Sequence, residues 1–144
     1  MKIRKAKPNE LEEIAKIMLK EFSKPPFNER VSFGFAFDSL KFYYNLGEIY
    51  VTIINREIAG ILVFKIEKYW EGKVIIIEDL AVKEQFKKQE VEKALLNFVE
   101  SYAKSRNIKR ILFTTNKKSK AIKFYKKLGY KEEKNRINFS KKLK

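Results

Sequence analysis

At 144 residues, 44% of them apolar, the chain is long enough for one domain over residues 1–144 with its own core. No apolar run approaches the ~18 residues a membrane span needs. Cys and His are both absent, which excludes disulfides, thiolate nucleophiles and Cys-based zinc sites and leaves Asp, Glu, Lys, Tyr, a terminal amine or water for acid–base work.

Charge divides the chain. Residues 1–82 carry 13 Lys+Arg against 12 Asp+Glu, while residues 83–144 carry 20 against 6, so almost all of the net +15 lies in the second part. A polyanion is the expected partner of that part, unless the lysines only solvate a surface. Met1-Lys2-Ile3-Arg4-Lys5 leads into alternation rather than an apolar signal core, so a cytoplasmic protein is expected.

In chain order, Lys2–Ala6 reads as a short strand. Asn9 is the candidate N-cap of a first helix, with Glu12 closing a capping box. Leu11, Ile14, Ala15, Met18 and Phe22 form its apolar stripe, and Pro25-Pro26 ends it. The aromatic stretch 27–46 predicts a loop and then a helix over roughly 36–46, with its rings in the core or lining a substrate groove. After Gly47, residues 49–54 and 58–64 flank the turn Asn55-Arg56 as a hairpin.

The run Val74-Ile75-Ile76-Ile77, continued by Glu78-Asp79-Leu80-Ala81-Val82, reads as a strand buried on both faces. A polar loop follows, and then Val91, Ala94, Leu95, Phe98 and Val99 recur at helical spacing to about Ala103. A strand, a basic loop and a helix start can hold a phosphate, because free N–H groups point out of the helix N-terminus. Residues 108–114 read as another strand, and 119–128 as a helix with Gly129 at C′. Ile137, Phe139 and Leu143 alternate with polar residues as a lysine-protected edge strand.

The predicted order is β-α-α-β-β-β-α-β-α-β, an α/β (α+β) domain with a mixed, mostly antiparallel sheet and about four helices. Three stretches in that order carry a family likeness: Ile77–Val82, Phe86–Leu96, and Ala121-Ile122-Lys123-Phe124-Tyr125-Lys126-Lys127-Leu128-Gly129-Tyr130. The chain resembles the GCN5-related N-acetyltransferases over essentially its whole length. The third stretch is the most specific match.

The resemblance implies acetyl-CoA as acyl donor, with its pantetheine arm between splayed fourth and fifth strands, bonded by the main chain of Leu80, Ala81 and Val82. It implies a pyrophosphate seat on the loop Lys87, Lys88, Gln89, Glu90, Val91, Glu92 and Lys93. Acetyl would pass directly to a primary amine of a small molecule or protein. The Val82 N–H would serve the oxyanion, and Tyr125 the departing thiolate. Glu78 or Asp79 could take the amine proton if burial raises the carboxylate pKa. Adjacent strand residues point to opposite faces, so at most one of the two is expected to face the site, and either could simply pair with a lysine. The loop departs from the family pattern: Lys87 stands at its Arg or Gln, while Glu90 and Glu92 replace glycines, adding bulk and negative charge where a phosphate would sit.

Two other readings come from the residues. The same fold could serve as a non-catalytic binding or regulatory protein that has lost CoA, or the basic part could bind nucleic acid, although no nucleic-acid motif is present. The stretch 27–46 and the C-terminal strand are the surfaces on which a homodimer would form.

Overall fold

The computed structural model describes residues Met1–Lys144. They form two compact units, Met1–Thr114 and Thr115–Lys144.

The first unit is built on one five-stranded sheet. Its strands are β1 (Lys2–Lys5), β2 (Glu48–Ile54), β3 (Glu57–Tyr69), β4 (Gly72–Val82) and β5 (Ile111–Leu112), in spatial order β1-β2-β3-β4-β5. All neighbours are antiparallel except β4 and β5, which are parallel. The β2–β3 turn works because Asn55 and Arg56 both take positive φ, 50° and 64°, the geometry that matches strand twist in a two-residue hairpin.

Helices α1 (Leu11–Phe22) and α2 (Phe33–Leu46) cover one face. There Ile14, Ile17 and Leu40 pack with Ile49, Val51, Ile61 and Val63 in a single apolar cluster. Helix α3 (Val91–Ser105) lies on the other face. The alternate residues of the strands meet it: Tyr50 lies 4.6 Å from the Phe98 ring, and Phe64 lies 5.0 Å from Tyr102. Alternation along β2 and β3 thus supplies both cores at once.

Several expected boundaries move. Helix α1 is entered through a 3-10 turn at Pro8–Glu10, and the Glu10 carboxylate, not Asn9 or Glu12, accepts the Lys7 N–H at 2.8 Å. Glu10 is also fixed by Arg4 through contacts of 2.9 and 2.7 Å. Helix α2 starts earlier than expected, because the Ser32 hydroxyl caps it by accepting the Phe35 N–H at 3.0 Å. Phe33, Phe37, Tyr43 and Tyr44 pack on the core, but Phe35 and Phe42 face outward. The strand expected over 108–114 shrinks to Ile111–Leu112, the residues that pair with Ile75 and Ile76.

The second unit holds α4 (Ile122–Lys127), shorter than the expected 119–128. It ends as predicted on Gly129, at φ +96°. The Gly129 N–H donates to Lys126 O and the Tyr130 N–H to Tyr125 O, both at 3.1 Å, the paired bonds of a Schellman end. The expected C-terminal edge strand does not form: residues 130–144 contain no strand, and Ile137, Phe139 and Leu143 are exposed. Three scattered apolar side chains bury too little to offset an ordering cost of about 1–2 kcal/mol per residue.

Candidate active site

Strand β4 is paired unequally on its two sides. Against β3 the ladder runs the whole way, from Tyr69↔Gly72 to Gly60↔Val82. Against β5 it has only Ile75↔Ile111 and Ile76↔Leu112, extended by the Ile75 N–H donating to Arg110 O at 3.0 Å. From Ile77 to Val82 no strand pairs with the outer edge of β4. Alternate N–H and C=O groups there are available to an extended ligand. Leu80, Ala81 and Val82 lie on that stretch.

The start of α3 is held close to the same place. Val82 pairs with Gly60. A Cβ on Gly60 would come 2.6 Å from Val91 Cγ1 and 3.2 Å from Leu95 Cδ1, so the missing side chain is what lets the first turn of α3 rest on the sheet. No side chain caps this helix. Glu90, the residue before it, has φ 57° and ψ 28°, the left-handed conformation that glycine adopts without strain. The loop therefore keeps the backbone path of a glycine while carrying a glutamate. Lys88, Gln89 and Glu90 are exposed, and Glu92 and Lys93 sit in or beside the first turn.

Lys87 is already engaged. Its ammonium lies 2.9 Å from Glu21 and 3.0 Å from Glu84. Lys24 joins the same two carboxylates at 3.1 and 2.9 Å. Hydrogen bonds from Lys24 and Lys87 draw the Glu84 carboxyl down to about 2. Burial pulls Lys87 down, but Glu21 and then Glu84 more than offset it and hold its pKa above the usual lysine value. Glu21 is a buried carboxylate that the sequence reading missed. Its spacing was the available signal, because it continues the buried face of Ile14 and Ile17 into the last turn of α1.

Glu78 and Asp79 occupy a break in the sheet. The register of β3 against β4 shifts between Val63 and Phe64, with Phe64 facing Ile77 and Val63 facing Asp79. Glu78 is the extra residue of a bulge, where strict alternation lapses and side chains are re-aimed. The expectation that these carboxylates must point to opposite faces therefore does not apply here. The two have different surroundings. Lys65 pairs with Glu78 at 3.1 Å and with Glu67 at 3.5 Å. No lysine or arginine pairs with Asp79. Burial, then the charges of Glu78 and Glu29, push the Asp79 carboxyl up to about 6. The Tyr43 hydroxyl of α2 is also raised, first by burial and then by Glu78.

Tyr125 belongs to the second unit. It is half-buried on α4, with its ring centroid 5.7 Å from that of Phe124. No helix of the chain is long and apolar enough to cross a membrane.

These residues can be tested against an acyl-CoA. The open edge of β4 offers backbone groups to amides. The uncapped start of α3 offers N–H groups to a diphosphate, and Glu90 already takes the bend that brings backbone close to phosphate. The residues fit the group.

The sequence matches the Acetyltransferase (GNAT) family over residues 11–130. No curated protein matches the chain. Among solved structures, a possible acetyltransferase from Clostridium difficile is similar at a TM-score of 0.88 and 15% identity, over 99% of this chain and 98% of that one. An aminoglycoside antibiotic 6'-N-acetyltransferase from Acinetobacter haemolyticus is similar at 0.77 and 16%, over 100% of both chains. A transcriptional regulator from Bacillus halodurans is similar at 0.73 and 22%, over 96% of this chain and 99% of that one. The five-stranded, mostly antiparallel open sheet with four helices is the fold of this family. The chain belongs to the acetyltransferase (GNAT) family.

Proposed function

We propose that the chain transfers acetyl from acetyl-CoA directly to a primary amine of a small molecule or protein, with Asp79 as the general base. The observation that carries this reading is an unpartnered length of β4 edge, Ile77–Val82; it contains Asp79, whose carboxyl burial pushes up to about 6.

Acetyl-CoA supplies the activated acyl group. Leu80 and Val82, whose main-chain groups face the open edge, would hold its arm, with Ala81 between them turned toward β3. The N–H groups at the start of α3, with Lys88 and Lys93 beside them, would hold its diphosphate. Asp79 receives the proton of the incoming ammonium, directly or through one water. A carboxyl near 6 is suited to this, because it is ionised at neutral pH yet basic enough to accept a proton. Glu78, paired with Lys65, adds its charge to the burial that raises the Asp79 carboxyl and leaves Asp79 the proton-accepting role. The Val82 N–H would donate to the thioester oxygen as it gains negative charge. Tyr125 is the proposed proton donor to the leaving thiolate.

Calorimetry with acetyl-CoA tests this reading. Saturable heat in the micromolar to millimolar range is expected, and no heat at millimolar ligand would refute it.

A second reading, a binding or regulatory protein that has lost CoA, is favoured by the glutamate at position 90 and by the engagement of Lys87 with Glu21 and Glu84. Glu90→Gly separates the two. Glycine removes left-handed strain, so the variant is expected to be more stable by roughly 0.5–1 kcal/mol. It also removes a negative charge at the phosphate seat, so CoA affinity is expected to rise roughly tenfold. If wild type binds no CoA and Glu90→Gly does, the second reading holds.

A further inference from the structure

Glu21 is a buried carboxylate that the proposed acetyl transfer leaves unused. It sits in the last turn of α1 with its side chain 7% exposed. A carboxylate is costly to bury unless it is paired and hydrogen-bonded. Two ammoniums meet that need, Lys24 at 3.1 Å and Lys87 at 2.9 Å. The same two lysines share Glu84, at 2.9 and 3.0 Å. Two of these contacts, Lys24–Glu21 and Lys87–Glu84, join neighbours three residues apart. The other two, Glu21–Lys87 and Lys24–Glu84, cross from the end of α1 to the 3-10 turn Glu84–Phe86 and the residue after it.

The connection from β4 to α3 is thus held at three points. Phe86 and Val91 are buried in the core, and Lys87 is tied to α1 between them. Helix α1 covers one face of the sheet and α3 the other. The Lys87 ammonium is therefore turned away from the N–H groups that open α3. To reach a diphosphate there it would have to abandon Glu21. Stripping a partner from a buried carboxylate costs more than an exposed ammonium–phosphate contact returns, so the exchange is unfavourable.

We propose that Lys87, expected as a phosphate contact, instead pins the diphosphate loop to α1, and that Glu21 is the positioning residue that acts on cofactor affinity through Lys87. The proposal rests on the acetyl-CoA reading above. Glu21→Gln keeps the side chain's shape and removes its charge, and Glu84→Gln does the same at a side chain 64% exposed. Calorimetry should find acetyl-CoA affinity lowered roughly tenfold by Glu21→Gln and less by Glu84→Gln. Lys87→Arg should bind as wild type does. Glu21→Gln combined with Lys87→Met should lose no more than the weaker-binding single variant. Were Lys87 a phosphate ligand restrained by the two carboxylates, each glutamine variant would release it and affinity would rise. A rise in either variant would overturn the proposal, as would additive losses in the double variant. The tie is also read without ligand. The Lys87 and Gln89 N–H groups donate to Glu84 O and Phe86 O at 3.3 and 3.1 Å, and both should exchange with deuterium faster in Glu21→Gln. Unchanged exchange would overturn the proposal as well. A wild type that binds no acetyl-CoA refutes the acetyl-CoA reading by itself, and the exchange measurement then decides whether Glu21 holds the loop.

Discussion

Asp79→Asn is expected to remove most of the acetyl transfer and, at the same time, to stabilise the fold. Asparagine is nearly the same size but cannot take a proton from an ammonium, so a loss of roughly 10²–10⁴ in kcat/KM is expected. The stability effect follows from the same displaced titration. The folded chain holds the Asp79 proton up to about pH 6, against a usual value of 3.8. The group is thus easier to bury protonated than ionised. Its favourable contribution is present below pH ~4 and is lost as pH rises through about 6. At neutral pH the ionised carboxyl could cost up to about 3 kcal/mol. Partial exposure reduces this, so a gain of roughly 1–2 kcal/mol is expected for Asp79→Asn at pH 7.5, fading to nothing near pH 4. Denaturant titrations of both proteins across that range check the sign. In the wild type, kcat/KM should rise with pH with a midpoint near 6.

Gly60→Val is expected to have the largest purely structural effect. Gly60 sits on β3 opposite Val82, under the first turn of α3. A new Cβ would lie 2.6 Å from Val91 Cγ1 and 3.4 Å from Ala81 O. Val91 is fully buried and β-branched, so it cannot turn aside. Overfilling of this kind costs roughly 1–3 kcal/mol, and two further methyl groups push it to the top of that range. The helix must lift from the sheet, which moves its N-terminus away from the end of β4. A lower denaturation midpoint is therefore expected together with a loss of acetyl-CoA affinity. If affinity stayed at the wild-type level in a destabilised variant, the start of α3 would have no part in holding the diphosphate.

Much of this architecture is legible in the residues because each element carries its own period. Val74–Ile77 announces a doubly buried strand, and Val91, Leu95 and Val99 announce one face of a helix. Gly129 announces a helix end, and its two capping bonds appear where expected. The failures share a cause: they depend on a partner that the local sequence does not name. Residues 108–114 are mostly apolar, but only Ile111 and Leu112 find β4 beside them. The tail alternates correctly and has no strand to join. The bulge at Glu78 is a mismatch between two strands and cannot be read in either one. The spacing of Glu21 after Ile14 and Ile17 marks it as buried, but not the convergence of Lys24 and Lys87 on it. For the candidate site, the sequence placed Glu78, Asp79 and the loop 87–93 in the right order along the chain. It could not tell that Lys65 neutralises one carboxyl and leaves the other to burial.

Acetyl transfer by this chain requires the open edge of β4 to seat an extended ligand. Hydrogen–deuterium exchange of the amides of residues 78–82, with and without acetyl-CoA, examines that edge directly. Outward-facing amides there should exchange quickly in the free protein and become protected once ligand is added, while those bonded to β3 remain slow throughout. Exchange unchanged by saturating acetyl-CoA, or full protection before any is added, would contradict it.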